Sequence, residues 1–165
     1  MIFSVLAFLA VMISICIKDR KNSLYVQSLN CFFEAIYDLI IKAYTGATLS
    51  LINFIRTLIF IRKEKINKIM YVFILFIFET VILINCIFTW TGPISLLPTI
   101  GSMIRSYCLW QDNMKLVRIS GMTTGITYGL YYVYYQSWFM VLGDLILLIV
   151  GICAVYKNDI KKSSN

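Results

Sequence analysis

The chain has 165 residues, of which 60% are hydrophobic and 14% are charged, and its formal net charge is +7. A soluble domain has about 25% charged residues, so this composition excludes an ordinary soluble fold and favours a protein whose solvent is lipid. The cations are spread between apolar runs instead of forming one patch, which argues against a nucleic-acid partner. There is no histidine and no CxxC pair, so we expect neither a metal site nor a cofactor.

The apolar runs predict an all-α integral membrane protein. A helix needs about 20 mostly apolar residues to cross roughly 30 Å of hydrocarbon. Seven runs come near that length, and six spans is the alternative because several runs are short or polar. In the first run the cations of "KDRK" follow the apolar stretch, so we interpret it as a retained helix and not as a signal peptide. The predicted transmembrane helices are residues 2–17, 24–41, 46–61, 69–88, 93–110, 116–134 and 138–156.

The cations between the runs predict the orientation of the helices, because cytoplasmic loops hold an excess of Lys and Arg. The first, third and fifth connections and the C-terminal tail hold twelve cations, whereas the other connections hold only Lys42. This asymmetry predicts an N-terminus outside the cell, a cytoplasmic C-terminus and an odd number of spans. The twelve are Lys18, Arg20, Lys21, Arg62, Lys63, Lys65, Lys68, Lys115, Arg118, Lys157, Lys161 and Lys162.

The runs also predict an internal repeat, in which two three-helix bundles are joined by a linking helix. A single helix between the bundles gives both the same orientation in the membrane. Sliding the chain by 91 residues places Asn53 and Asp144 at equivalent positions. We expect the first repeat in residues 1–62, the linking helix in 63–91, the second repeat in 92–156 and a cytoplasmic tail in 157–165.

Two stretches carry a resemblance to a known family. They are "GATLSLINFIRTLIFIRK" (46–63) and "GPISLLPTIGSMIRSYCLW" (92–110), the second followed by a Gly- and Tyr-rich helix and an acidic residue in the last run. Together they resemble the YgjV family of bacterial inner-membrane proteins, which is similar to the PQ-loop and SWEET group of mostly small-solute transporters. The resemblance implies a three-one-three helix plan and a solute contact for Asn53. This chain has no Pro-Gln dipeptide, and it has Glu34 and Asp38 where YgjV members often carry a histidine.

Ionisable and polar side chains inside the runs are the candidate site residues, because a charge in hydrocarbon costs a few kcal/mol unless it faces a partner or a cavity. Gln27, Asn30, Glu34 and Asp38 form one polar stripe on the second helix. This stripe fits either a solute-binding face or hydrogen bonds between helices. The predicted solute-binding residues are Asn53, Asp144, Glu34, Arg56 and Tyr128.

Other residues in the runs have open roles. Arg56 either pairs with a buried acid or extends to the inner headgroups, and for Arg105 we expect the headgroups. Glu79 lies among Phe and Ile in the linking helix and needs a partner. Pro98 and Gly101 in "LLPTIG" predict a kink, because proline removes a backbone hydrogen bond, and we assign them a gating role.

Two functional hypotheses follow, neither of them enzymatic, because no catalytic motif is present. The first is a carrier of a small polar solute, a sugar or metabolite, in the bacterial inner membrane. The alternative is a membrane interaction protein that transports nothing and uses its basic cytoplasmic loops on anionic lipid or a partner. A cavity shared by Asn53 and Asp144 favours the first, and a filled core favours the second.

Overall fold

The computed structural model describes residues 2–17, 19–62, 68–111 and 113–155. Across these residues the protein consists of α-helices and one 3₁₀ turn, with no strand, which confirms the all-helical prediction. Each helix falls on a predicted run, and the ends differ by four residues or fewer. The helices are α1 (Ile2–Cys16), α2 (Arg20–Ile40), α3 (Tyr44–Ile61), α4 (Lys68–Phe88), α5 (Leu96–Trp110), α6 (Met114–Tyr134) and α7 (Trp138–Val155), with the 3₁₀ turn Pro93–Ser95 before α5.

Six of the helices form a closed ring. Each packs against the next in the order α1, α2, α3, α5, α6, α7 and back to α1, and α4 lies outside the ring against α3 and α5. This order is unchanged when α1, α2 and α3 are exchanged with α5, α6 and α7. The second helix of each half therefore faces its counterpart across the centre of the ring.

The two halves of the ring have the same helix lengths. α1 and α5 have 15 residues, α2 and α6 have 21, and α3 and α7 have 18, and every boundary recurs 94 residues later. The expected offset of 91 is therefore wrong by three residues, and the equivalent of Asn53 is Leu147, not Asp144. Three residues turn a helix to within about 60° of a full turn. An offset of 91 therefore pairs residues on nearly the same helix face as an offset of 94 does, so the pattern of polar residues does not distinguish the two offsets.

The connections confirm the offset of 94. Asp19 caps α2 by accepting a hydrogen bond from the backbone amide three residues on (3.1 Å). Asn113, at the equivalent position, caps α6 by accepting from the amide two residues on (3.0 Å). After α2 and α6, Lys42 and Gln136 have φ values of 60° and 55°. Both adopt the left-handed conformation that commonly ends a helix, so the same turn is built twice.

The ring has two ends of different character. At the basic end α1, α3 and α5 end and α2, α4 and α6 begin, and the tyrosine end holds connections 41–43, 89–92 and 135–137. The basic end is the one that the cation pattern predicts to be cytoplasmic. Several of the predicted cytoplasmic cations and the tail lie outside the described residues, namely Lys18, Lys63, Lys65 and residues 156–165.

Along the sides of the helices, apolar side chains face outward and charged side chains face inward. In the part of the chain that the structure describes, the exposed charged residues all lie at or next to helix ends, and the sides of the helices expose large apolar residues. Such a surface is unfavourable in water and is suited to lipid. The exposed charged residues are Asp19, Lys21, Lys42, Arg62 and Lys115, whereas Glu34, Asp38, Arg56, Glu79, Arg105 and Asp144 are buried or half-buried.

Among the residues that the structure describes, two segments are long and apolar enough to cross a membrane when judged by length and hydropathy alone, Tyr44–Ile61 and Met70–Phe88. Ile2–Ser14 and Trp138–Cys153 are apolar but shorter. α2, α5 and α6 are less apolar because one face of each carries polar residues of the ring interior. The count of seven spans stays a prediction.

The helix around Pro98 differs from the expected kink. α5 runs unbroken from Leu96, so Pro98 is its third residue, in the first turn, where a backbone N–H has no helical acceptor in any case. The interruption comes earlier, at the 3₁₀ turn. Gly101 brings α5 close to α6, because a Cβ there would lie 3.2 Å from Thr124 Cγ2 and 3.3 Å from Thr127 Cβ. A gating role for Pro98 and Gly101 stays a prediction.

Candidate functional site

A central cavity of about 90 Å³ lies inside the ring. It has room for several waters, since one needs about 10–15 Å³ on this measure. Its lining extends to the first turns of α2 and α6, so its nearest end of the bundle is the basic end. All six ring helices contribute polar side chains, such as Ser14, Gln27, Asn53, Arg105, Thr124 and Asp144 in chain order.

The cavity lies where the two halves of the ring meet. Seven pairs of its lining residues stand 94 positions apart, among them Glu34 with Tyr128 and Asn53 with Leu147. Equivalent residues therefore face one space from opposite sides. Pro98 and Gly101 are outside the lining. The cavity brings together all five predicted solute-binding residues, which are Glu34, Asn53, Arg56, Tyr128 and Asp144.

Arg56 is held by α5 and is fully buried. Its Nη1 donates to the Ser102 carbonyl oxygen (3.0 Å) and to the Ser106 hydroxyl. Its Nε is buried without a hydrogen-bond partner. No carboxylate of the described residues lies within 4.0 Å of this guanidinium, although Glu79 on α4 is near enough to influence it electrostatically. Neither predicted role for Arg56, a direct ion pair or an extension to the headgroups, is observed.

Asn53 joins α3 to both α5 and α6. Its Nδ2 donates to Ser102 Oγ (3.1 Å) and more weakly to the Tyr128 hydroxyl (3.4 Å), and these two hydroxyls are 2.9 Å apart. The Asn53 side-chain oxygen is buried without a partner. The amide is thus fixed at one end and has an unused acceptor at the other.

Arg105 points into the ring, which makes the expected extension to the headgroups wrong. Its Nη1 donates to Thr124 Oγ1 (2.8 Å). With the Gln27 amide turned so that its oxygen faces Arg105, that oxygen accepts from Nη2 and from Nε, the latter at 2.7 Å. Arg105 points inward because Gln27 on α2 and Thr124 on α6 accept its hydrogen bonds. It is a cavity residue that the sequence did not identify.

Three carboxyl groups lie on the tyrosine side of the cavity. The Tyr132 hydroxyl lies between two of them, 3.4 Å from Glu34 Oε1 and 3.3 Å from Asp38 Oδ2. Asp144 packs against α6 at Gly129, where a Cβ would lie 3.5 Å from the Asp144 Cβ. The Asp144 Oδ2 is buried without a partner. The lack of a side chain at Gly129 thus makes room for a carboxylate on α7.

The tyrosine end is closed by hydrogen bonds between the halves of the ring. The Tyr37 hydroxyl on α2 bonds the Ser137 hydroxyl before α7, and the Gly46 amide on α3 donates to the Tyr131 hydroxyl on α6 (3.2 Å). Tyr37 and Tyr131 are equivalent at the offset of 94. Together with Tyr132 they form a buried layer above the cavity. The three- and four-residue spacing of tyrosines in α6 is the sequence signal for this layer, and of these tyrosines only Tyr128 is among the predicted site residues.

A second, smaller cavity of about 40 Å³ lies beside the first, at the seam between α1 and α7. It shares Glu34 and Asp144 with the central cavity, and its outer part is lined by apolar residues such as Phe8 and Phe139. Among the residues covered by the structure, no group of three or more His, Cys, Asp or Glu side chains could hold a metal ion.

A family model, Imp-YgjV, described as a bacterial inner membrane protein, matches residues 1–162. No curated protein and no solved structure gives a significant match. The match confirms the resemblance to the YgjV family, whereas the likeness to SWEET proteins receives no support.

Proposed function

Because the chain belongs to the Imp-YgjV family of bacterial inner membrane proteins, we propose that it is a seven-span carrier of a small polar solute, with the N-terminus outside and the basic end in the cytoplasm. The observation that carries the proposal is the set of unpartnered polar atoms around one cavity. Asn53 Oδ1, Arg56 Nε and Asp144 Oδ2 come from two helices and lack hydrogen-bond partners. Each such atom costs about 1–3 kcal/mol, which a bound solute or water offsets.

The cavity has the asymmetry of a carrier that faces one side of the membrane. It approaches the basic end, and the tyrosine layer separates it from the other end. Alternating access needs one half to rock against the other around a fixed site. In this proposal, rocking breaks the Tyr37–Ser137 and Tyr131–Gly46 hydrogen bonds and opens the tyrosine end.

The two seams between the halves differ, and this difference supports a pivot at one of them. At the α3–α5 seam, Asn53 and Arg56 bond to Ser102, and α4 covers the outside. At the α7–α1 seam, Phe8 packs on Gly143, where a Cβ would lie 3.2 Å from Phe8 Cδ2. The second cavity lies beside this contact. The polar seam therefore serves as the pivot and the apolar seam as the part that separates.

A transport assay with an unbiased solute mixture tests the proposal. Proteoliposomes are loaded with a protein-free bacterial metabolite extract, and efflux of each component is followed by mass spectrometry. We expect at least one solute to leave faster than from empty liposomes, and Asn53→Ala and Asp144→Ala to abolish that efflux. Asn85→Ala is the matched control, because Asn85 on α4 also has a buried unpartnered amide but lies outside the cavity.

The outcome also addresses the alternative of an interaction protein. Efflux equal to that of empty liposomes, with all variants folded, would overturn the carrier proposal. The alternative then predicts that neutralising the cations of residues 62–68 removes binding to vesicles rich in anionic lipid, while the two cavity variants bind as the parent protein does.

A further inference from the structure

We propose that the transported solute is a zwitterion of the amino-acid type, with its anionic group at Arg56 and Arg105 and its ammonium group at Glu34 and Asp144. This inference rests on the carrier function proposed above. It comes from the distribution of charge in the central cavity, which is cationic on the side of the basic end and acidic on the side of the tyrosine layer.

The cationic side consists of two buried guanidinium groups that face one space. Their hydrogen-bond partners are neutral: Ser102 and Ser106 for Arg56, and Thr124 and Gln27 for Arg105. In the described part of the chain neither guanidinium has a carboxylate within 4.0 Å. Two like charges that share a cavity repel each other, and a carboxylate between them replaces repulsion with charge-assisted hydrogen bonds.

The acidic side lacks a direct ion pair in the same way. Glu34 has a long contact to the Tyr132 hydroxyl and feels Arg105 only at a distance, and Asp144 Oδ2 has no hydrogen-bond partner. No cationic group of the described residues lies within 4.0 Å of either carboxylate. A primary ammonium group has three donors, enough to reach both carboxylates and the free oxygen of Asn53.

The spacing of the two sides fits a small zwitterion. Gln27, which contacts Arg105, and Glu34 are seven residues apart on α2, a rise of about 10 Å. Thr124, which contacts Arg105, and Gly129, which contacts Asp144, are five residues apart on α6, a rise of about 7.5 Å. Subtracting a charge-assisted hydrogen bond of about 2.8 Å at each end leaves roughly 2–5 Å between the solute charges, the range of an α-amino acid.

Other small solutes fit this charge pattern less well. A neutral sugar gives none of the four charged groups a direct ion pair, and a simple anion leaves both carboxylates without one. Arg118 also lines the cavity, nearer to the basic end. Its position places a further cation where the carboxylate of an incoming solute first enters.

Thermal unfolding of the purified protein in nanodiscs tests the inference, because a ligand that binds only the folded state raises Tm. Each of the 20 protein amino acids is added in turn, with D-glucose and glycerol as neutral probes. The amino acid that raises Tm most is then compared with its own 2-hydroxy acid, which lacks the ammonium group, and with its amide, which lacks the carboxylate.

We expect both analogues to need at least about tenfold higher concentration for the same rise in Tm, since each leaves buried charges unpaired. In Asp144→Asn we expect a smaller difference between the concentrations of amino acid and hydroxy acid that give the same rise in Tm. In Arg105→Gln we expect a smaller difference between the concentrations of amino acid and amide. Asn85→Ala should leave both concentration differences unchanged. Asp144→Asn keeps the side-chain volume and Arg105→Gln keeps an unbranched polar side chain, so we expect both to fold, and the Tm of each variant without ligand checks this.

Two results overturn the zwitterion and leave the carrier intact. One is a hydroxy acid or an amide that raises Tm as much as the amino acid does. The other is a rise with glucose or glycerol and with none of the amino acids. If the carrier function is wrong, the result is different: no solute leaves the loaded proteoliposomes faster than it leaves empty liposomes.

Discussion

Replacing Arg56 by methionine separates a binding role of this arginine from a structural one. The side chain is fully buried, and its partners are Ser102 and Ser106 on α5. Methionine keeps an unbranched side chain that fills the space and removes the charge. If Arg56 is present to bind solute, the variant should fold normally and transport nothing.

The structure sets the size of the expected effect. Two hydrogen bonds to a charged donor contribute roughly 3–6 kcal/mol together, and removing a buried charge returns several kcal/mol of desolvation. Ser102 and Ser106 keep a hydrogen bond when Arg56 is removed, because the Ser106 hydroxyl donates to the Ser102 carbonyl oxygen at 2.9 Å. These terms nearly cancel, so we expect Arg56→Met to change the free energy of unfolding by less than about 2 kcal/mol. Arg56→Ala adds a cavity and should lose about 2–5 kcal/mol.

Reversible unfolding in mixed micelles measures both variants, and solute efflux is measured on the same preparations. A solute-binding role for Arg56 is supported if Arg56→Met is nearly as stable as the parent protein and has lost efflux. It fails if Arg56→Met is as unstable as Arg56→Ala, since the arginine then holds α3 to α5, and it fails equally if efflux is unchanged.

Two further predictions concern packing and topology. Gly101→Ala should lose about 1–3 kcal/mol of stability from overpacking against Thr127, whereas in Gly125→Ala the added Cβ meets nothing closer than 3.7 Å and stability should hold or rise. Unfolding in mixed micelles compares them, and a stable but inactive Gly101→Ala would instead support the gating role. In a cysteine-free background, Lys42→Cys should react with an impermeant maleimide on intact cells and Arg62→Cys only after permeabilisation. The reverse pattern would invert the proposed orientation.

The positions of the helices could be predicted from the sequence because hydropathy and charge mark where each helix leaves lipid. The register of the repeat could not. A three-residue error keeps the polar stripe of α2 near the same face, so composition alone accepts both offsets. The evidence that decides between them is local backbone geometry: the caps at Asp19 and Asn113 and the left-handed residues Lys42 and Gln136.

The site was predicted in part, because ionisable and polar side chains in hydrocarbon face inward wherever they occur in a helix. This rule placed Glu34, Asn53, Arg56 and Asp144 in the ring interior without knowledge of the fold. It could not supply their partners. The sequence shows how far Arg105 lies from the helix end, which favours the headgroups, but it does not show that Gln27 and Thr124 lie opposite this side chain.

The bonds of Arg56 have a consequence for the order in which the protein is assembled. Its partners follow it by 46 and 50 residues in the chain, so at about 5–20 residues per second α3 is made several seconds before α5. During that interval an arginine that costs about 2.5–3.5 kcal/mol at the centre of a helix has no acceptor from the second half. Only five residues follow it in α3, so the nascent helix can hold this charge at the headgroups nearest to the basic end. We expect Arg56 to move inward only when α5 arrives, so that the two halves join late in biogenesis, when the ring is completed.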